Sequence, residues 1–369
     1  MSLMQELAQR ALDRDVPLSV QLDVTYRCNE RCIHCYLDHN DHGEMTFAEI
    51  RGILDQLAEA GVFFLTLSGG EVFMRRDFLD IVEYARSLMF CVKVKTNAFM
   101  IREEEAERLR DLMVQDVQVS IYSHRPEVHD AITLLPGSLK RSIEGIRRLR
   151  AQGINVVIAN VLMAQNLSDS AGVRELASEL GASITIDPTI TPMMDGDRSI
   201  LRLGIGMKDL QEVFRNSDLV GDVDEFCAPP PAVDEEVMRE LPCSAGHTAC
   251  YISPYGDLFP CVQFPLPSGN VRRQRFIDIW RHSEQLNEVR SITAGDLPVC
   301  SGCSHVGTCS RCPGLAYMEG NMRGPSAQDC EKSFARTGLP SANMLLRGTG
   351  LTSHRLVQIA PLQAAAHSA

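Results

Sequence analysis

Residues 25–36 read Thr-Tyr-Arg-Cys-Asn-Glu-Arg-Cys-Ile-His-Cys-Tyr, and the stretch just ahead of them, 19–24, alternates polar and apolar residues as a strand does. Cys28, Cys32 and Cys35 therefore follow a strand at the spacing C-x3-C-x2-C. Three thiolates offered together suit a four-iron cube that keeps one iron free to bind a small molecule. A closed structural site would recruit a fourth cysteine nearby, and none follows until Cys91. A catalytic zinc also keeps a position open, but three thiolates so tightly spaced are unusual for it.

Outward from this run, strand-like and helix-like stretches alternate between Pro17 and Pro188. Strands are expected at 19–24, 62–67, 90–95, 117–121, 155–161 and 183–186. Helices are expected at 46–60, 77–88, 103–112, 138–152 and 169–180, the first with Thr46 as N-cap and Glu49 completing a capping box. Such alternation predicts a parallel sheet with right-handed crossovers. The units are too few to close an eight-fold barrel, and periodicity alone also allows a doubly wound sheet. In either, ligands gather at the carboxyl ends of the strands, where the cysteine triple lies.

The chain has 369 residues, enough for two domains, and an apolar content of 44%. No apolar run approaches the ~20 residues of a membrane helix, and residues 1–15 are not a secretory signal. A net charge of −12 argues against nucleic-acid binding, which needs a basic face. Thirteen cysteines without a signal peptide point to metal or redox chemistry in a reducing, cytoplasmic compartment rather than to disulfides. Only Cys91, which reads as a buried small side chain, and Cys227 stand apart from the cysteine clusters.

The triple after the first strand resembles that of the radical S-adenosylmethionine (SAM) superfamily. The resemblance implies an open, partial (β/α)6 TIM-like barrel. It also implies that the open iron of a [4Fe-4S] cluster held by Cys28, Cys32 and Cys35 chelates S-adenosyl-L-methionine, whose reductive cleavage yields a 5′-deoxyadenosyl radical. Ser68-Gly69-Gly70-Glu71, after the second strand, is similar to the family's Gly-Gly-Glu, where Gly69 and Gly70 admit a close backbone approach and Glu71 receives the methionine amino group. The following proline of that motif is Val72 here. The resemblance further implies cofactor contacts from Asn97 in Thr96-Asn97 and from Ser120 in Ser120-Ile121-Tyr122, where relatives carry Ser-x-Asp. Tyr36 holds the position that lies near adenine. Asn160 and Asn166 are lesser candidates.

A second cysteine region runs Cys243, Cys250, Cys261, Cys300, Cys303, Cys309, Cys312 and Cys330. It resembles the SPASM extension of radical enzymes, with x2 in place of the usual x3 before Cys312. The likeness implies a small cysteine-rich α+β domain with two auxiliary clusters, one on Cys243, Cys250, Cys261 and Cys312 and the other on Cys300, Cys303, Cys309 and Cys330. Three [4Fe-4S] clusters are thus expected, one SAM-binding and two auxiliary. Cys250 is expected to sit on a hairpin turning at 254–257 and to close the first auxiliary site. Zinc remains the competing reading of these pairs taken by themselves. The expected organisation is a helical lead-in at 1–17, the barrel at 18–188, a connector at 189–242, the SPASM domain at 243–335 and a poorly ordered tail at 336–369.

By analogy with that family, the expected activity is hydrogen abstraction leading to oxidative modification of a residue in a ribosomally made peptide, by cross-linking, dehydrogenation or epimerisation. The alternative is a small-molecule substrate such as a sugar, a tetrapyrrole or a cofactor precursor. Sulfatase maturation is disfavoured, because relatives with that activity carry an acid just after the third cysteine of the first auxiliary set, and Val262 and Gln263 follow Cys261 here. With about 17 residues ahead of the barrel, a leader-binding module is expected to be a separate protein. A flavodoxin or ferredoxin is the expected electron donor, with no membrane and no nucleic-acid partner.

Overall fold

The computed structural model describes residues 3–348. They fall into two compact units. The first takes the chain to Pro188 together with Ser244–Val262 and Leu266–Val289, and the second takes Thr189–Cys243, Gln263–Pro265 and the chain from Arg290 onward. Much of the second cysteine region, through Val289, thus belongs with the barrel strands, and Cys243 and the part from Arg290 onward with the residues expected to be a connector.

In the first unit, helix α1 (Leu3–Asp13) precedes six strands: β1 (Ser19–Thr25), β2 (Phe64–Gly69), β3 (Cys91–Thr96), β4 (Asp116–Ser120), β5 (Val156–Val161) and β6 (Ser183–Asp187). All pair in parallel in sequence order. A doubly wound sheet reverses its strand order near the middle, and these six strands never do. With right-handed crossovers, a constant direction of travel puts every crossover helix on one face. The result is an open partial barrel, with helices outside and strand ends converging inside.

Helix α2 (Phe47–Glu59) begins at Thr46 with the expected capping box to Glu49 and buries Ile50, Ile53, Leu54 and Leu57. These share one core with Val20, Leu22 and Val24 of β1. Strand alternation turns Gln21, Asp23 and Thr25 the other way, into the interior. Helices α3 (Phe78–Ser87), α4 (Glu103–Asp111), α6 (Ser138–Ala151) and α7 (Ser170–Glu179) follow the expected pattern. Helix α5 (Pro126–Thr133) was not anticipated, because at eight residues it is too short for a clear 3.6-residue period. Cys91 is half-buried rather than buried, and its thiol donates to Gln115 Oε1 at 2.7 Å.

Three further strands extend the sheet beyond β1. Strand β7 (Ala249–Ile252) pairs with β1 in parallel, and β8 (Asp257–Phe259) and β9 (Gly269–Asn270) continue antiparallel. The β7–β8 turn falls where the sequence predicts it, with Gly256 at φ +85°.

In the second unit, residues 189–242 are not irregular throughout; they form short helices, among them Met207–Phe214 and Glu235–Arg239. The expected tail also begins in order, as Ala327–Thr337 and Ala342–Gly348 are helices and Ser341 is 2% exposed. Residues 349–369 of that tail lie outside the described residues. No helix of the described residues is long and apolar enough to cross a membrane.

Candidate active site and cluster-binding cysteines

Cys28, Cys32 and Cys35 lie on one loop at the carboxyl end of β1. Two ties to α5 hold it, Arg31 N–H donating to Thr133 O and Ile33 N–H to Ile132 O, both at 3.0 Å. Glu44 braces its start, accepting from Thr25 Oγ1 at 2.6 Å and Tyr26 N at 2.9 Å and pairing with Arg27 at 3.2 Å. The three thiols are close enough to act on one another, Cys28 and Cys35 each adding to the upward shift at Cys32. Burial is the first cause of the shift at all three, and it pushes Cys28 up to about 12. Thiols so placed stay protonated until a metal draws them into the thiolate form. The donor set therefore fits a metal group whose charge supplies that pull. Among the described residues no three His, Cys, Asp or Glu side chains close around a single ion; a four-iron cube takes each thiolate at a different iron.

The Ser68–Glu71 turn sits directly against this loop. A Cβ on Gly69, at φ +141°, would lie 2.0 Å from Thr25 O, and one on Gly70 would lie 2.4 Å from Arg27 O. Gly70 N–H donates to Thr25 O at 2.8 Å and Glu71 N–H to Arg27 O at 2.9 Å. The two glycines are thus required by the chain's own cysteine loop, not only by a ligand.

Glu71 differs from expectation in its surroundings. Its side chain is fully buried. Its carboxylate accepts from Phe73 N at 3.0 Å and Asn97 N at 2.8 Å, and the Thr96 hydroxyl lies 2.8 Å from both oxygens. Burial pushes this carboxyl up, and the donors pull it back toward ionisation. Glu71 therefore fastens the end of β3 to the Gly-Gly turn. Asn97 is brought to the cysteine loop: its Nδ2 donates to Asn29 Oδ1 at 2.9 Å and lies 4.0 Å from Cys28 Sγ. Ser120 ends β4, and its side chain hydrogen-bonds Tyr122. Asn160 and Asn166 are staples: Asn160 Nδ2 donates to Ile121 O, and Asn166 Nδ2 to Tyr122 O and Val161 O.

The interior also holds a polar group that sequence reading missed. Asp23 is fully buried and accepts from Gln21 Nε2 and from the Tyr251 hydroxyl, each at 3.0 Å. The Tyr26 and Tyr251 hydroxyls bond each other, and Lys95 Nζ donates to Gln21 Oε1 at 3.1 Å. Burial raises Asp23 to about 6 and lowers Lys95. Tyr36 and Lys95 both feel the charge of Cys261.

Cys250 is placed differently from the other cysteines of its expected set. It stands on β7 opposite Val20, is 4% exposed, and belongs to the apolar core with Ile252 and Leu258. Tyr251 faces Asp23 in the interior, so alternation carries Cys250 to the helix side with Val20. Its expected place as an auxiliary ligand stays a proposal, tested by the iron content of Cys250→Ala. Of the other members of that set, Cys261 belongs to the first unit, and Cys243 and Cys312 belong to the second.

Cys300, Cys303, Cys309 and Cys330 all belong to the second unit and line one cavity with His305, Arg311 and Asp329. Burial pushes Cys300 up to about 11, and Cys330, Cys309 and Cys303 add to the shift. Cys330 comes from the helix Ala327–Thr337, which Ser326 caps by accepting from Asp329 N. The start of the helix Ala342–Gly348 closes over the same sulfurs, with Ala342 N 3.4 Å from Cys303 Sγ and Asn343 Nδ2 3.8 Å from Cys330 Sγ. Four thiols around one cavity fit a fully ligated cube.

The family models agree with this division. The radical SAM superfamily model matches residues 22–176, and the SPASM model, an iron–sulfur cluster-binding domain, matches 243–313. The chain is 28% identical over 329 residues to the AdoMet-dependent heme synthase of Methanosarcina barkeri, covering 82% of this chain and 93% of that protein. It is 29% identical over 307 residues to the mycofactocin maturase MftC of Mycobacterium tuberculosis, covering 80% and 78%. The fold resembles that of Streptococcus suis SuiB bound to its precursor peptide SuiA, with a TM-score of 0.69 at 18% identity over 88% of this chain and 79% of SuiB. An open run of parallel strands, a cysteine triple beside a Gly-Gly-Glu turn and a four-cysteine cavity thus coincide with both models: the chain belongs to the radical S-adenosylmethionine superfamily and carries a SPASM iron–sulfur domain.

Proposed function

We propose that the protein is a peptide maturase that removes a hydrogen atom from a residue of a ribosomally made precursor and completes its oxidation. The observation that carries the reading is the pairing, in one chain, of a three-thiol loop at the barrel mouth with a separate four-thiol cavity. The first suits SAM cleavage and the second suits acceptance of an electron. The bound cluster and SAM would supply the hydrogen-abstracting radical, and the chain's residues hold and enclose them. Cys28, Cys32 and Cys35 would hold the cluster, Gly69 and Gly70 allow the turn to reach it, and Glu71 with Asn97 keeps the β3 end in place. Cys300, Cys303, Cys309 and Cys330 would hold an auxiliary cluster. A third cluster in the remaining cysteines, and so about twelve irons in all, is part of the proposal. The mycofactocin maturase and the SuiA-bound SuiB favour a peptide substrate. Electron supply from a flavodoxin or ferredoxin, a separate leader-binding protein and a cytoplasmic setting with reduced thiols complete the reading.

The heme synthase likeness favours a second reading, oxidation of a tetrapyrrole. One experiment separates the two. The reconstituted, reduced protein is incubated with SAM and either a candidate precursor peptide encoded beside its gene or an iron porphyrin carrying propionates. A peptide mass loss of two hydrogens supports the maturase. Change in the porphyrin alone overturns it.

A further inference from the structure

The cavity of Cys300, Cys303, Cys309 and Cys330 contains one cation whose reach into it is not accounted for by the fold. Arg311 is 7% exposed. Its Nε and Nη2 donate to Gly324 O at 2.8 and 2.6 Å, and Nη2 also meets Met322 O. Nη1 is buried with no partner, and Arg311 lines the cavity. The acid among its charged neighbours, Asp329, is engaged elsewhere: Oδ1 pairs with Lys332 Nζ at 2.7 Å, and Oδ2 accepts from Cys312 N at 2.8 Å. A buried guanidinium without a carboxylate partner is costly unless another anion faces it.

The sulfurs of the cavity are supplied with donors unequally. Cys303 faces Ala342 N–H, Cys309 the Ser333 side chain, and Cys330 the side chains of Ser341 and Asn343. Arg311, which lines the same cavity as Cys300, is the opposing charge that acts on it most. His305 cannot take this role as a neutral ring. Its Nε2 lies 3.0 Å from Leu339 O, a carbonyl that only accepts, so the ring hydrogen sits there and Nδ1 offers a lone pair.

We propose that Arg311 tunes the redox potential of the four-cysteine site, its buried charge and free Nη1–H being available to the thiolates that would hold a cluster there. The proposal rests on the reading that these four cysteines hold an iron–sulfur cluster. A cube with four thiolates is anionic, and reduction adds one more negative charge. A fixed cation and its hydrogen bond stabilise the reduced form more than the oxidised one, which raises the potential. The site would then accept an electron from a substrate radical more readily, and the bracing of Nε and Nη2 holds the guanidinium at the cavity without reorganisation.

The test uses the full chain, anaerobically reconstituted, with each cluster's midpoint followed by EPR-monitored redox titration. Cys303→Ala identifies which signal belongs to this site. Arg311→Gln is expected to keep wild-type iron and visible absorbance and to shift the reduction equilibrium of that signal about tenfold toward the oxidised form, about 59 mV for one electron. Unchanged potential at unchanged iron content overturns the proposal. Because Arg311 also braces residues 322–324, Arg311→Gln could lose the cluster outright. Arg311→Lys then decides: with its single donor head it is expected to show a smaller downward shift, and a wild-type midpoint overturns the proposal. If Cys303→Ala and Cys300→Ala both retain full wild-type iron and every EPR signal, it is the cluster reading that fails, which is a different outcome.

Discussion

Replacing Glu71 separates a residue that receives a ligand from one that holds the site together. The carboxylate serves two backbone N–H groups, of Phe73 and Asn97, and the Thr96 hydroxyl, all within 3.0 Å. Glu71→Ala leaves both buried N–H groups without an acceptor, at about 1–3 kcal/mol each, so the local cost is about 2–6 kcal/mol against a typical global stability of about 5–15 kcal/mol. Glu71→Gln is the finer probe. Its amide oxygen satisfies one N–H, and its NH2 is then set against the other, which costs about 1–3 kcal/mol. At about 1.4 kcal/mol per factor of ten, amide exchange in 72–74 and 96–99 should quicken by about 5- to 150-fold. Hydrogen exchange read by mass spectrometry on the cluster-free chain makes the comparison without SAM. If exchange is unchanged while SAM binding is lost, Glu71 is an ammonium acceptor with no bracing role, and the account of the turn is wrong.

Two further outcomes follow from the geometry. Cys250→Ala should keep wild-type iron content and lose about 1 kcal/mol of stability as a small core truncation; a loss of about four irons would restore Cys250 as a ligand. Asp23 gives a pH signature: its carboxyl is held at about 6 against an ordinary 3.8. Below about pH 4 folded and unfolded chains both keep this proton, and between about 4 and 6 only the folded chain does. Stability therefore falls by about 3 kcal/mol as pH rises through that window and is level above it. Urea unfolding of the cluster-free chain and of Asp23→Asn across pH 4–7 should show this slope in the difference between them, and parallel curves would contradict the burial argument.

The barrel was legible because each of its helices except α5 is long enough to show a period and each strand ends in a recognisable turn. Strand order was not, since alternation cannot distinguish travel in one direction from travel that reverses; the consecutive pairing of β1 through β6 settles that only in three dimensions. The cysteine loop was legible from spacing, and the reason for Gly69 and Gly70 was only half so, because the atoms crowding them are those of Thr25 and Arg27. The face that Cys250 takes was not legible, for a physical reason. Residues 249–252, Ala-Cys-Tyr-Ile, are continuously apolar, so no alternation reveals which face each takes, and counting along a motif ignores that a strand flips every residue. The same blindness hid Asp23: its partner Tyr251 is 228 residues away. The Ser341–Asn343 cover over Cys303 and Cys330 was hidden in a stretch whose Ser and Gly content looks like an end without structure.

The most direct measurement is the formation of 5′-deoxyadenosine from SAM by the reconstituted protein under dithionite, quantified by liquid chromatography and mass spectrometry. Wild-type protein should form it, and Cys32→Ala should form none. Cys303→Ala should still form it while failing to turn over substrate. Cleavage that persists when Cys28, Cys32 and Cys35 are all replaced, or its absence from wild-type protein with full iron content, would contradict the account.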